Sequence, residues 1–254
     1  MACGTSQQSG AVLLGTRALR AAPWRFLTRE VALIVTGALL YSLVRGLTDD
    51  RVAPAFANAE SLIDLERRLG IHIEPDLQAA IVDVPWAVDL ANAVYIAYWP
   101  IVFGVAAWLL LMHRPMFALY RNALLVSGLL SLAVFAAFPL APPRFLDGYV
   151  DTIAAESDGY RSFNASALVN EYAAMPSLHF GWVLLVGIAI ASLAEHRAVQ
   201  AIGVILPVLM LASIVLTGNH FLLDAVVGGA VVLVGFAVAK WLRASFGSAS
   251  NELW

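Results

Sequence analysis

The sequence predicts an all-α integral membrane protein: a bundle of six transmembrane helices with an amphipathic helix on its outer face. Three observations carry that expectation. Hydrophobic residues make up 61% of the 254-residue chain and charged residues only 13%, with a mean hydropathy of +0.79. A soluble domain of this size cannot hide so much apolar surface. Six separate stretches approach the roughly 20 apolar residues that a membrane helix needs. The basic residues gather at alternate ends of those stretches, as the positive-inside rule requires.

The first 28 residues carry Arg17, Arg20 and Arg25 ahead of a long apolar run. That run is longer than a signal-peptide core and lacks a small-residue cleavage site, so it predicts an uncleaved first span. Residues 1–28 then form a cytoplasmic tail, 29–243 the membrane domain and 244–254 a second cytoplasmic tail. The spans are expected at about 30–47, 88–112, 121–140, 177–194, 199–217 and 221–241. With the N-terminus inside, Arg17, Arg20, Arg25, Arg29, Arg114, Arg121, Arg197, Lys240 and Arg243 fall on the inner side. Arg45, Arg51, Arg67, Arg68, Arg144 and Arg161 fall at or beyond the outer ends. The expected location is the cell membrane, multi-pass, with both termini cytoplasmic. Cys3 is the only cysteine, so no intrachain disulfide forms.

Two outer segments are long. Residues 50–87 include "NAESLIDLERRLGI", with Leu62, Leu65 and Leu69 on one helical stripe. This reads as an amphipathic helix on the outer membrane surface, a lid or strut. Residues 141–175 form the second outer segment and lead into "AAMPSLHFGW".

That stretch places Pro176, Ser177 and His179 at the mouth of the fourth span. The sixth span opens "TGNHFLLDAVVGG", with His220 and Asp224 at i and i+4, on one helical face. A carboxylate about one turn inside an apolar span is costly and marks a functional hypothesis by default. The 41 residues between the two histidines allow one span inward and one outward, so His220 returns to the face that holds His179. The third span ends on the same face in "PLAPPRF", which carries Arg144.

This set suits an anion and not a metal. Two His and one Asp could bind zinc in principle, but Arg144 would oppose a cation, and no metal or other cofactor is expected. Arg144 can clamp phosphate oxygens. The helix start at Ser177 offers free N–H groups, and Asn219 adjoins His220. A neutral imidazole can attack phosphorus, a carboxylate on its other nitrogen fixes its tautomer, and a second His can protonate the leaving oxygen. The inventory fits metal-free phosphoryl transfer at the extracytoplasmic face.

The strings "PSLH" and "GNHFLLD" resemble the second and third motifs of the type 2 phosphatidic acid phosphatase (PAP2) superfamily. The pattern "APPR … AMPSLH … NHFLLD" is similar to its Aur1-like branch, which includes inositol phosphorylceramide synthases. The resemblance implies six spans, His220 as nucleophile, Asp224 as its partner, His179 as general acid and Ser177 as a phosphate holder. It implies a lipid phosphate or phospholipid donor, with water or an alcohol such as inositol as acceptor, and no nucleic-acid partner. The superfamily's first motif, Lys then six residues then Arg-Pro, is absent: Ala137 and Ala107 stand seven before Arg144 and Arg114. Arg144 substitutes by position. Ile214 stands where an Arg usually precedes the third-motif His. Fewer cations suit a diester monoanion, which points toward a phosphodiester or head-group donor. A transporter or flippase for a phosphorylated lipid is the competing expectation, although no inverted repeat is found.

Asp89, Asn92, Tyr95 and Trp99 recur at helical spacing ahead of Pro100. They suit interfacial aromatics with a helix kink, and alternatively a wall of the head-group pocket, with Asn92 and Tyr95 as its members. Arg161, Asn170 and Tyr172 could meet a head group or be plain loop. Arg114 and Arg121 fall on the inner side. His72, His113 and His196 are expected to be surface residues without partners at the site.

Overall fold

The computed structural model describes residues 24–46, 51–156 and 171–246. The tails, Arg161 and Asn170 lie outside these residues. Among the described residues the fold is helical, with no strand and one isolated parallel bridge between Leu140 and Ala173. The helices are α1 Trp24–Gly46, α2 Val52–Leu69, α3 Glu74–Ala79, α4 Pro85–Ile96, α5 Tyr98–Met112, α6 Arg114–Ala137, α7 Thr152–Glu156, α8 Leu178–Leu193, α9 Arg197–Leu216 and α10 Leu222–Phe246. A single 3-10 turn covers Pro143–Phe145.

Helices α6, α9 and α10 are long and apolar enough to cross a membrane. Helices α4 and α5 form a fourth candidate if the pair, bent by 43°, is one span. The expectation of six spans is therefore met in part. Helix α8 is apolar but has 16 residues, and α1 carries Arg25, Arg29, Glu30 and Arg45 and is not among the candidates.

The bend has a local cause. Pro100 has no N–H to offer the Ile96 carbonyl, and its ring crowds that oxygen, so the ladder breaks four residues upstream. The helix stops at Ile96 and restarts at Tyr98. The break turns Tyr98 inward, 3% exposed, and leaves Trp99 45% exposed.

Helix α8 packs on α9 and α10, α10 packs on α6, and α9 on α4. One core cluster joins Tyr95, Tyr98, Val183, Met210, Ile214 and Ala225 beneath the site. Another joins Leu109, Leu119, Tyr120, Leu185 and Val232 at the other end. Several polar side chains pair across helices inside the bundle, as an apolar solvent favours. Ser213 Oγ donates to Ala91 O on α4 at 2.8 Å, and Trp182 Nε1 donates to Ser127 Oγ at 3.1 Å. Arg121 pairs with Glu30 and so ties α6 to α1.

The segment from α2 to α3 closes one end of this bundle. Of the expected Leu62–Leu65–Leu69 stripe, only Leu62 is buried. The buried face of α2 runs Ala55, Ala59, Leu62 and Glu66. Leu65 and Leu69 are 46% and 57% exposed. The stripe differs because Ala55 and Ala59 let α2 lie close against Leu140, Ala141 and Phe221. The Asn58 amide donates to Pro139 O at 2.7 Å, and Arg51 donates to Ala136 O. The Arg51 bond satisfies a carbonyl that the end of α6 leaves without a helical partner, and the Asn58 bond one just beyond that end.

Candidate active site

Three elements bring the expected residues together. The first is the stretch after α6. The backbone N–H of Arg144 donates to Gly218 O at 2.7 Å. Its guanidinium donates to Asn219 Oδ1 from Nη1, lies 3.3 Å from Asp151 through Nε, and stacks over the Phe145 ring at 4.7 Å. Its side chain is 8% exposed. Gly218 has φ +70°, and a Cβ there would lie 3.0 Å from the Gln78 amide and 3.1 Å from Val150 O. Gln78 holds that turn, donating to Val150 O and Leu216 O and accepting from Val150 N.

The second element is the start of α8. Ser177 is its N-cap, fully buried, and Oγ accepts from Phe180 N at 3.4 Å. Helix geometry leaves the N–H groups of Leu178 and His179 without intrahelical acceptors. The His179 ring stacks on Tyr95 at 4.4 Å and meets Tyr98, tilted by 40°, at 4.3 Å.

The third is the turn into α10. The His220 ring lies 5.8 Å from that of His179. His220 Nδ1 meets Ala174 O at 2.8 Å and Asp224 Oδ2 at 3.4 Å. The expected His–Asp pairing is thus present, but the carbonyl is the nearer partner. A carbonyl can only accept, so Nδ1 carries the hydrogen and Nε2 keeps its lone pair. Asp224 Oδ2 accepts from Phe221 N at 2.9 Å, and its Oδ1 is buried without a hydrogen-bond partner. His220 precedes α10, and burial, followed by the charge of Arg144, pushes its pKa down to about 3. The imidazole is therefore neutral at physiological pH.

Close backbone approach welds the second and third elements. Ser177 N donates to Asp224 O at 2.9 Å. A Cβ on Gly228 would lie 2.2 Å from Ser177 O, so no other residue allows α10 this close to α8.

The remaining expected residues fall nearby with different duties. Asn92 is buried and exchanges hydrogen bonds with Thr152, donating to its carbonyl and accepting from its hydroxyl. Tyr95 supports His179. Tyr172 packs on Phe56 and Phe145, and its carbonyl accepts from Leu140 N. Tyr98 was not among the sequence candidates, although it is three residues from Tyr95 and would share its face on an unbroken helix.

His72 corrects the sequence reading. It is only 12% exposed and faces Glu66 and Glu74. Those two carboxylates, both fully buried, accept from Leu223 N and Leu222 N at 2.9 and 2.8 Å. Together with Asp224 they occupy the first three N–H groups at the start of α10. No motif announces this, because the partners lie 157 and 148 residues apart.

A family model described as PAP2 superfamily (PAP2_3) matches residues 60–238. The chain belongs to the PAP2 superfamily. No curated protein and no solved structure gives a significant match. The matched region contains Arg144, Ser177, His179, Asn219, His220 and Asp224. Membership in the superfamily points to phosphatase or phosphotransferase activity on phosphorylated lipids in membranes.

Proposed function

We propose that the chain is a metal-independent lipid phosphotransferase or phosphatase of the Aur1-like branch. Its six spans would place both termini in the cytoplasm and the site at the extracytoplasmic face, with Leu65 and Leu69 of α2 toward the membrane surface. The observation that carries the reading is the convergence of Arg144, the α8 start and the His220 turn, with the two imidazoles 5.8 Å apart.

In the proposed reaction the phosphoryl oxygens bind Arg144, the α8 N–H groups and Asn219, with Ser177 fixing the start of α8. His220 Nε2 attacks phosphorus and forms an N–P bond, while the bond to the leaving oxygen breaks. Protonated His179 gives its proton to that oxygen. The phosphorylated imidazole is cationic, and its Nδ1–H lies between Ala174 O and the Asp224 carboxylate. Water or an alcohol such as inositol then attacks phosphorus, His179 takes its proton, and the N–P bond breaks. The tyrosines against His179 limit its movement, which favours proton delivery along one direction.

The test uses purified protein with a panel of lipid phosphates and phospholipids, with and without inositol. Free phosphate and new lipid products are both followed, for wild type and His220→Ala. Phosphate release by wild type alone identifies a phosphatase. A new head-group lipid from wild type alone identifies a transferase. Equal product from His220→Ala removes the assigned nucleophile and returns the transporter reading.

A further inference from the structure

Behind the start of α10 lies a second cluster of polar atoms that the proposed chemistry does not use. Glu66 closes the buried face of α2, Glu74 opens α3, and His72 lies in the turn between them. Each carboxylate spends Oε1 on a backbone N–H of α10. The other oxygens, Glu66 Oε2 and Glu74 Oε2, are buried with no hydrogen-bond partner, and so is His72 Nδ1. These three atoms face one another. Nδ1 lies 3.5 Å from Glu66 Oε2 and 3.3 Å from Glu74 Oε2. One ligand atom from each residue falls within 4.8 Å of the others.

The spacing is informative. Ligand atoms at about 2.0–2.1 Å from a tetrahedral ion are about 3.3–3.4 Å from each other. Separations of this size are too long for good charge-assisted hydrogen bonds, which run near 2.8 Å. Two buried carboxylates that stay ionised need a positive partner. The Tyr149 hydroxyl is also buried without a hydrogen-bond partner. Burial raises its pKa first, and the charges of Glu74 and Glu66 raise it further.

We propose that Glu66, His72 and Glu74 bind one divalent transition-metal ion, of which Zn2+ is the best fit. Two carboxylates and one imidazole match zinc and its first-row neighbours better than magnesium or calcium, which favour all-oxygen shells. The ion is structural. Each Glu would bridge it to an N–H of α10, so the ion pins the α2–α3 segment to the helix that carries Asp224. His72, 12% exposed, marks the side from which the ion enters.

Full-length protein in detergent is stripped with a chelator, dialysed, and titrated with Zn2+, with Mg2+ as control. Metal analysis is expected to give one Zn2+ per chain, and the melting temperature rises with Zn2+ but not with Mg2+. Glu66→Gln and Glu74→Gln each weaken Zn2+ binding by about 100-fold or more, beyond the usual cost of an outer-shell change. Glutamine retains an oxygen for the α10 N–H, so these variants keep the helix cap. Absence of stoichiometric Zn2+ from wild type overturns the proposal, as does binding as tight as wild type by either glutamine variant. None of these readouts uses lipid turnover, so a failure here leaves the proposed reaction standing, and loss of that reaction leaves the metal site standing.

Discussion

The backbone N–H of Ser177 donates to the backbone carbonyl of Asp224 at 2.9 Å. Two short motifs from separate helices are thereby joined main chain to main chain. The join fixes the backbone from which His179 and His220 project, and side-chain contacts then hold the two rings.

Gly228 makes the join sterically permissible. Gly228→Ala puts a methyl group 2.2 Å from a main-chain oxygen that cannot swing aside. Stability is expected to fall by about 1–3 kcal/mol, and the two imidazoles move apart. Gly229→Ala meets only side chains, the Phe180 ring at 3.2 Å and Leu184 at 3.6 Å, and costs less. Thermal melting of both variants beside their turnover checks this. Equal behaviour of the two would refute the close-approach argument.

Asp224→Asn tests the carboxylate without removing its cap. Asparagine can still accept from Phe221 N but cannot balance a cationic imidazole. Turnover is expected to drop by about 10²–10⁴-fold, with the helical circular dichroism unchanged and lipid phosphate still bound.

Arg144→Ala removes the charge that faces the site and the donor to Asn219. We expect kcat/KM to fall by at least about 100-fold. Arg144→Lys restores only part, because an ammonium cannot present two parallel donors. Steady-state kinetics on the three proteins separates charge from geometry.

His220 gives a pH signature. Its folded pKa, about 3, lies below the ordinary 6.5. Between those values the unfolded chain takes up a proton that the folded chain refuses, so this contribution to stability is present above pH 6.5 and is lost as pH falls toward 3. Wild type is expected to lose melting temperature over that window more steeply than His220→Phe. Parallel slopes would show that the imidazole is not held neutral.

Gln78→Ala should unsettle the turn before Asn219. It strips partners from Val150 N, Val150 O and Leu216 O, and unsatisfied buried groups cost about 1–3 kcal/mol each. A lowered melting temperature that Gln78→Glu only partly restores would agree with this.

Much of the site was legible in sequence because its chemistry is local. His220 and Asp224 are one helical turn apart, and His179 follows its own N-cap by two residues. The 41-residue spacing brought the two strings together. The break at Ile96 was foreseeable from Pro100, but the inward turn of Tyr98 depends on how the second half of the bent pair meets α8. Glu66, His72 and Glu74 were not legible. Charge on an amphipathic helix ordinarily faces water, and only the packing of α2 over α10 turns Glu66 inward. Of the six expected spans, length and composition mark α6, α9 and α10 among the described residues, with α4–α5 a fourth if the bent pair is one span; α8 is short and α1 carries four charges.

The carboxylates at the start of α10 have a consequence for direction. A helix N-terminus normally draws anions, and at the one next to His220 the N–H groups of Phe221, Leu222 and Leu223 are already taken by three of the protein's own carboxyl groups. The start of α8, across from it, is not. In the proposed reaction, a phosphorylated substrate entering between them feels a one-sided pull, toward α8 and Arg144. On the proposed reaction its oxygens turn that way and its phosphorus turns back toward the imidazole. The helix that follows the proposed nucleophile is thereby made indifferent to the charge being attacked.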